Sequence, residues 1–210
     1  MMRRALIAVS AVSALALLAA CSDDHDSMPM DSMPMDSMPM DSMPMGSMPG
    51  VPADADYTVA DVEFAQGMIA HHEQAIAMAE IALDPTVGAS PEVVDLARRI
   101  QAAQDPEIDQ MTAWLTQREQ ALTMDMSDGH NMADMPGMMS AEDMERLPTL
   151  VGPEFDTVWL EMMIAHHQGA IEQANTVLAD GTNPELAALA NAIITAQQAE
   201  ITEMEALLAA

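Results

Sequence analysis

One stretch of the chain occurs twice, and this duplication restricts the possible folds more than any other feature. Gly67-Met68-Ile69-Ala70-His71-His72-Glu73-Gln74-Ala75-Ile76 returns as Met162-Met163-Ile164-Ala165-His166-His167-Gln168-Gly169-Ala170-Ile171, at an offset of 95 residues. Upstream, Asp61 and Phe64 match Asp156 and Trp159; downstream, Leu83 matches Leu178. A second stretch repeats at an offset of 93, with Pro91, Glu92, Leu96, Ile100, Gln104, Glu107, Ile108, Met111 and Leu115 matching Pro184, Glu185, Leu189, Ile193, Gln197, Glu200, Ile201, Met204 and Leu208. Repeated units of this size bury their apolar faces against one another.

Each half reads as helix, turn, helix. Phe64, Met68, Ala75, Ala79 and Leu83 keep a helical period. First helices are expected over 58–83 and 154–179, second helices over 91–121 and 184–209. Ser90 and Asn183 are suitable N-caps, and Pro91 and Pro184 stand in the first turn, where proline is tolerated. The fold class is therefore all-α: a four-helix bundle made of two repeated helical hairpins. It occupies 57–210, with 57–121 as the first copy, 122–152 as a Met-rich connector and 153–210 as the second copy.

Several polar residues lie on the faces that should be buried. On a helical wheel His72 falls among Met68, Ala79 and Leu83, and His71 borders them. Gln104 and Glu107 share a face with Leu96, Ile100 and Met111; by the repeat, His166, His167, Gln197 and Glu200 follow, with Met204. A buried carboxylate needs a partner or a metal, and the facing helices offer each Glu a His. Two uses stay open: metal ligands, or hydrogen bonds that fix register. Met68 and Met163 precede the histidines by three and four residues, so sulfur and imidazole share a face. Mixed thioether–imidazole donors suit copper, which cycles between Cu(I) and Cu(II).

The region before the bundle is of another kind. Residues 1–20 read as a signal peptide, with Arg3 and Arg4 ahead of an apolar run. Leu18-Ala19-Ala20-Cys21 resembles a bacterial lipobox, which makes Cys21 the lipidation site. Residues 21–56 form a tether expected to be disordered, built on the unit Ser-Met-Pro-Met-Asp. A proline every five residues forbids helix interior and central strand. As a flexible coil the tether spans roughly 30–35 Å. Its methionines, Met28, Met30, Met33, Met35, Met38, Met40, Met43, Met45 and Met48, are soft donors suited to Cu(I) and Ag(I). Methionine is also dense in the connector, where His130, Met132, Met135, Met138 and Met139 are further candidates.

Charge narrows the partners. All six basic residues are arginines; removal of the signal leaves four of them against 34 acids. Nucleic acid is excluded as a partner, and so is an electrostatic hold on anionic lipid. With Cys21 the single cysteine, soft-metal binding must rest on methionine and histidine.

Both copies of Met-Ile-Ala-His-His, the Gln-x-x-Glu-Ile-x-x-Met of 104–111 and 197–204, and Met135-Pro136-Gly137-Met138-Met139-Ser140 resemble the domain-of-unknown-function family 305, which includes CopM-like copper-binding proteins. The resemblance covers about 57–208. It implies a ferritin-like four-helix bundle, an extracytoplasmic location and a link to copper handling. It carries Met68, His71, His72, Met163, His166 and His167 over as motif residues; the repeated tail is outside it.

The expected function is that of an exported metal-binding protein, lipid-anchored to the outer face of the cell membrane. It would take copper for sequestration, tolerance or delivery, with a copper transporter or metallochaperone as the partner class. It is not expected to be an enzyme: no nucleophile–base arrangement stands out. A di-iron protein is the first alternative, but it wants Glu three residues before His. Met68, Ile69, Met163 and Ile164 stand there instead. An envelope interaction or stress protein without metal is the second, and the methionine excess argues against it.

Overall fold

The computed structural model describes residues 51–52, 55–124 and 135–210. The predicted signal, Cys21, the methionines from Met28 to Met48, and His130 and Met132 lie outside them. The described residues are all-helical: α1 (Val59–Leu83), α2 (Pro91–Gln117), α3 (Ala141–Arg146), a 3-10 turn (Leu147–Thr149), α4 (Pro153–Asp180) and α5 (Pro184–Leu208).

Local chemistry sets most of the helix ends. Thr58 and Asp61 form a capping box on α1, each side chain accepting from the other's backbone N–H. Ser90 accepts from the Val93 N–H on α2, and Asn183 accepts from the N–H groups of Glu185 and Leu186 on α5. One expectation needs correction. α2 stops at Gln117 rather than continuing to 121, because Glu119 adopts a left-handed φ of 55° and the Gln120 N–H turns back to the Leu115 carbonyl. A left-handed residue cannot propagate a right-handed helix.

α1 packs on α2, α4 packs on α5, and α1 and α4 meet in the middle. The apolar interior is divided into two clusters. One joins Phe64, Met68, Met111 and Trp114 to Ala174, Leu186 and Ile193. The other joins Met78, Leu96 and Ile100 to Phe155, Trp159, Met163 and Met204. Equivalent residues of the two copies fall in opposite clusters, as an approximate twofold axis across the bundle requires. Between the clusters lies a polar layer of His71, His72, Gln104, His166, His167 and Gln197, all buried.

Magnitudes make this layer conspicuous. A buried large apolar side chain contributes about 1.5–3 kcal/mol, whereas a buried polar group without a partner costs about 1–3 kcal/mol. Both tryptophans avoid that cost: Trp114 Nε1 donates to Asn183 Oδ1 and Trp159 Nε1 to the Met78 carbonyl. The polar layer avoids it only in part: the histidine Nδ1 atoms and the amides of Gln104 and Gln197 have no hydrogen-bond partner among the described residues. Among the described residues no helix is long and apolar enough to cross a membrane.

Candidate metal centre

The four histidines occupy the middle of α1 and α4, the two helices in mutual contact. His71 and His166, equivalent by the repeat, lie ring against ring with centroids 3.7 Å apart and planes tilted by 41°. His72 and His167 flank them, each held by the glutamate of its own hairpin. His72 Nε2 meets Glu107 Oε2 at 2.8 Å, and His167 Nε2 meets Glu200 Oε2 at 2.7 Å. The histidines are closed off from solvent, while the glutamates keep 19% and 14% exposure. That exposure lets water solvate the outer side of each carboxylate.

These contacts fix the tautomers. A carboxylate only accepts, so Nε2 of His72 and of His167 carries the proton and donates. His71 Nε2 likewise donates to the Pro136 carbonyl at 3.2 Å. In a neutral ring so bonded Nδ1 is the lone pair, and none of the three Nδ1 atoms has a hydrogen-bond partner among the described residues. For His166 neither ring nitrogen has one, although the nearby His71 carbonyl pulls weakly towards the charged form. The amides of Gln104 and Gln197 are also unpartnered at both ends among these residues.

Electrostatics keep the central pair neutral. Burial lowers the His71 pKa to about 3, assisted by the neighbouring His72 and opposed by the Pro136 carbonyl. Burial also holds His166 well below the ordinary imidazole value, with His71 and His167 adding to the shift. Two imidazolium rings could not stack at this distance. A neutral imidazole is the form that binds a metal.

The connector closes one side of the layer. Gln74 clips it with two hydrogen bonds, accepting from the Met139 N–H at 2.7 Å and donating to the Met139 carbonyl at 3.0 Å. Gly137 holds φ at 79°, and Gly169 lies so close to Pro136 that a Cβ there would run into the Pro136 backbone. The connector thus touches α4 directly and sets its Pro136 carbonyl on His71.

The structure brings together His71, His72, His166 and His167, with Glu107 and Glu200 at the edges. Met68 and Met163 are fully buried one helical turn before the histidines, and Met111 and Met204 are buried on α2 and α5. Among the described residues no three His, Cys, Asp or Glu side chains converge as a metal site by themselves. Met135, Met138 and Met139 are half-buried in the connector, with Met139 packed on the second cluster. Sequence reasoning missed the Pro136 carbonyl and the Gln74 clip. The only available signal was the exchange of Gln74 for Gly169 between otherwise matching segments.

Residues 61–208 match the family described as Domain of unknown function (DUF305). The chain belongs to the DUF305 family. Among solved structures it is similar to a DUF305 fragment from Deinococcus radiodurans, 34% identical over 72% of this chain and 97% of that one, TM-score 0.65. It is also similar to a DUF305 protein described as secreted from Streptomyces coelicolor, 31% identical over 71% and 91%, TM-score 0.64. CopM in its Cu(II)-bound form is 34% identical over 70% and 95%, TM-score 0.58. CopM is known as well in Cu(I)-bound and Ag-bound forms. No curated protein sequence matches the chain. The similarity to a copper- and silver-bound protein supports metal binding as the coarse functional reading.

Proposed function

We propose that this DUF305 protein is an exported, lipid-anchored binder of copper, as Cu(I) or Cu(II), or of silver as Ag(I). The metal is cargo, taken for sequestration, tolerance or delivery, and the protein is not an enzyme. The observation that carries this reading is the set of buried imidazole nitrogens, unpartnered among the described residues, on rings brought together where α1 meets α4. Glu107 and Glu200 orient the outer rings by accepting from Nε2, the arrangement by which carboxylates raise the basicity of ligating imidazoles. Met68 and Met163 supply thioether, which favours Cu(I). The similarity to CopM structures with copper and silver supports the choice of metal.

The tail extends the same chemistry. Nine methionines between 28 and 48 form a second, soft store for about three monovalent ions, at about three thioethers per ion. Lipid on Cys21 holds the protein at the outer face of the membrane. No described helix can cross a bilayer, and the acidic composition gives no attraction to anionic headgroups. A transporter or metallochaperone for copper is the fitting partner class. Replacing Cys21 by Ser should move the protein from the membrane to the soluble fraction; retention after carbonate washing would refute the anchor.

Cu(II) separates the layer from the tail, because it prefers nitrogen while the tail offers chiefly thioether. The test is electron paramagnetic resonance of the mature chain loaded with one equivalent of Cu(II). Nitrogen hyperfine coupling is expected, and it should weaken in the triple variant Met68→Ala, His71→Leu, His72→Leu while far-UV circular dichroism is retained. Unchanged coupling in that variant would overturn the assignment.

A further inference from the structure

The repeat is broken at Gly67. Its counterpart is Met162, a half-buried residue packed on the second cluster. On α1 the missing side chain is replaced by groups from elsewhere. A Cβ on Gly67 would stand 3.3 Å from Met135 Cε, 3.8 Å from Met124 Sδ and 3.2 Å from Gln173 Oε1. Two connector methionines and one α4 amide thus converge on one point of α1. Gln173 Nε2 is buried without a hydrogen-bond partner among the described residues.

This point lies one helical turn before His71 on α1. Gln173 and Pro136 line a cavity of about 220 Å³ together with Phe64, Glu63 and Glu172. Both glutamates are exposed, so the mouth is anionic. Pro136, next to Met135 in the chain, also supplies the carbonyl that accepts from His71 Nε2.

We propose that Met124 and Met135 form an outer site over Gly67 for a soft monovalent cation, Cu(I) or Ag(I), and that this site loads the histidine layer. Two thioethers are a sufficient donor pair for an ion that accepts low coordination, and thioether selects Cu(I) over harder cations. Gln173 Oε1 stands ready as a weak third donor. Glycine at 67 leaves room for the Met135 methyl and the Gln173 amide against α1, which a Cβ would press upon, with Met124 Sδ at contact distance beside them. The outer site stands on its own geometry, whereas its loading role rests on the histidine layer being a metal site.

The test uses the full mature chain labelled with [methyl-13C]methionine and titrated with Ag(I). Met124→Leu and Met135→Leu assign the two methyl signals and keep the apolar volume. Both signals are expected to shift together, in the same titration step, and the Met124→Leu/Met135→Leu variant should bind fewer ions with an unchanged circular dichroism spectrum. In that variant the histidine ring signals should still reach their metal-bound positions, but at least tenfold more slowly. If the Met124 and Met135 methyls stay unmoved at saturation, the outer site is refuted whatever the histidines do. If they shift while the histidine signals never do, the outer site stands and the loading role falls with the reading of the layer. If loading is equally fast in the variant, the loading role alone is overturned.

Discussion

The two hairpins arose from one pattern, and the structure shows where they have ceased to be equivalent. Their outer pairs are almost the same: His72 with Glu107 at 2.8 Å, His167 with Glu200 at 2.7 Å. Their inner histidines differ. His71 has the Pro136 carbonyl; His166 has no hydrogen bond on either nitrogen among the described residues. Gln74 holds the connector by its backbone, while the equivalent Gly169 makes room for it. Each departure lies where the connector crosses α1 and α4. Joining the hairpins through a single strap therefore broke the twofold symmetry locally and left the outer pairs intact.

The broadest way to probe this asymmetry is acid, which acts on both inner rings. His71 is held at a pKa of about 3 and His166 is lowered as well, against 6.5 in the unfolded chain. A depressed imidazole pKa means that the unfolded state binds more protons below 6.5, so stability is complete above that value and falls as pH drops towards 3. At pH 5 the loss is about 2 kcal/mol for each ring that stays neutral. Urea denaturation of metal-free protein at pH 7 and pH 5 should register it. His71→Leu and His166→Leu should each remove part of the slope. If either variant keeps the full pH dependence, that ring is not held neutral.

The second test attacks the strap. Gly169→Ala would place a methyl inside the Pro136 backbone, and the expected cost is about 3 kcal/mol, the upper part of the range for overpacking. Gln74→Ala removes two hydrogen bonds to Met139 and should cost about 1–2 kcal/mol. Thermal unfolding of the two variants compares them. Equal, negligible effects would mean that the connector does not pack on the layer.

How much of this was legible beforehand follows from the range of each interaction. Local signals were readable. Ser90, Asn183, Pro91 and Pro184 marked helix starts, and helical periodicity placed His72 and Glu107 on facing apolar surfaces before their contact was seen. The early end of α2 was not readable, since nothing in the identity of Glu119 requires a positive φ. The stack of His71 on His166 depends on α1 meeting α4, a contact between residues 95 apart that periodicity within one helix cannot reveal. The Pro136 carbonyl was invisible because every residue has one. The candidate methionines from Met28 to Met48, His130 and Met132 lie outside the described residues and remain proposals from composition.

The finest test separates the two inner histidines from each other. In metal-free protein neither His166 nitrogen has a hydrogen bond among the described residues, so His166→Leu replaces an unsatisfied polar ring by an apolar side chain of smaller volume. Removing the polar penalty should gain about 1–3 kcal/mol, and the partly refilled space should cost about 1 kcal/mol, for a net gain of about 1 kcal/mol. His71→Leu removes the same kind of penalty at Nδ1, but it also leaves the Pro136 carbonyl without its donor, and the two effects should nearly cancel. Metal reverses the ranking. With Cu(I) present, binding to the native state adds stability to the wild-type protein in proportion to the logarithm of free metal over its dissociation constant. Both variants should lose that increment. A chain stabilised by His166→Leu when empty and weakened relative to wild type when loaded is the signature of a residue retained for its ligand. If His166→Leu destabilises the empty protein as well, the ring has a structural partner, and the inner histidines of the two hairpins are more alike than the described contacts make them.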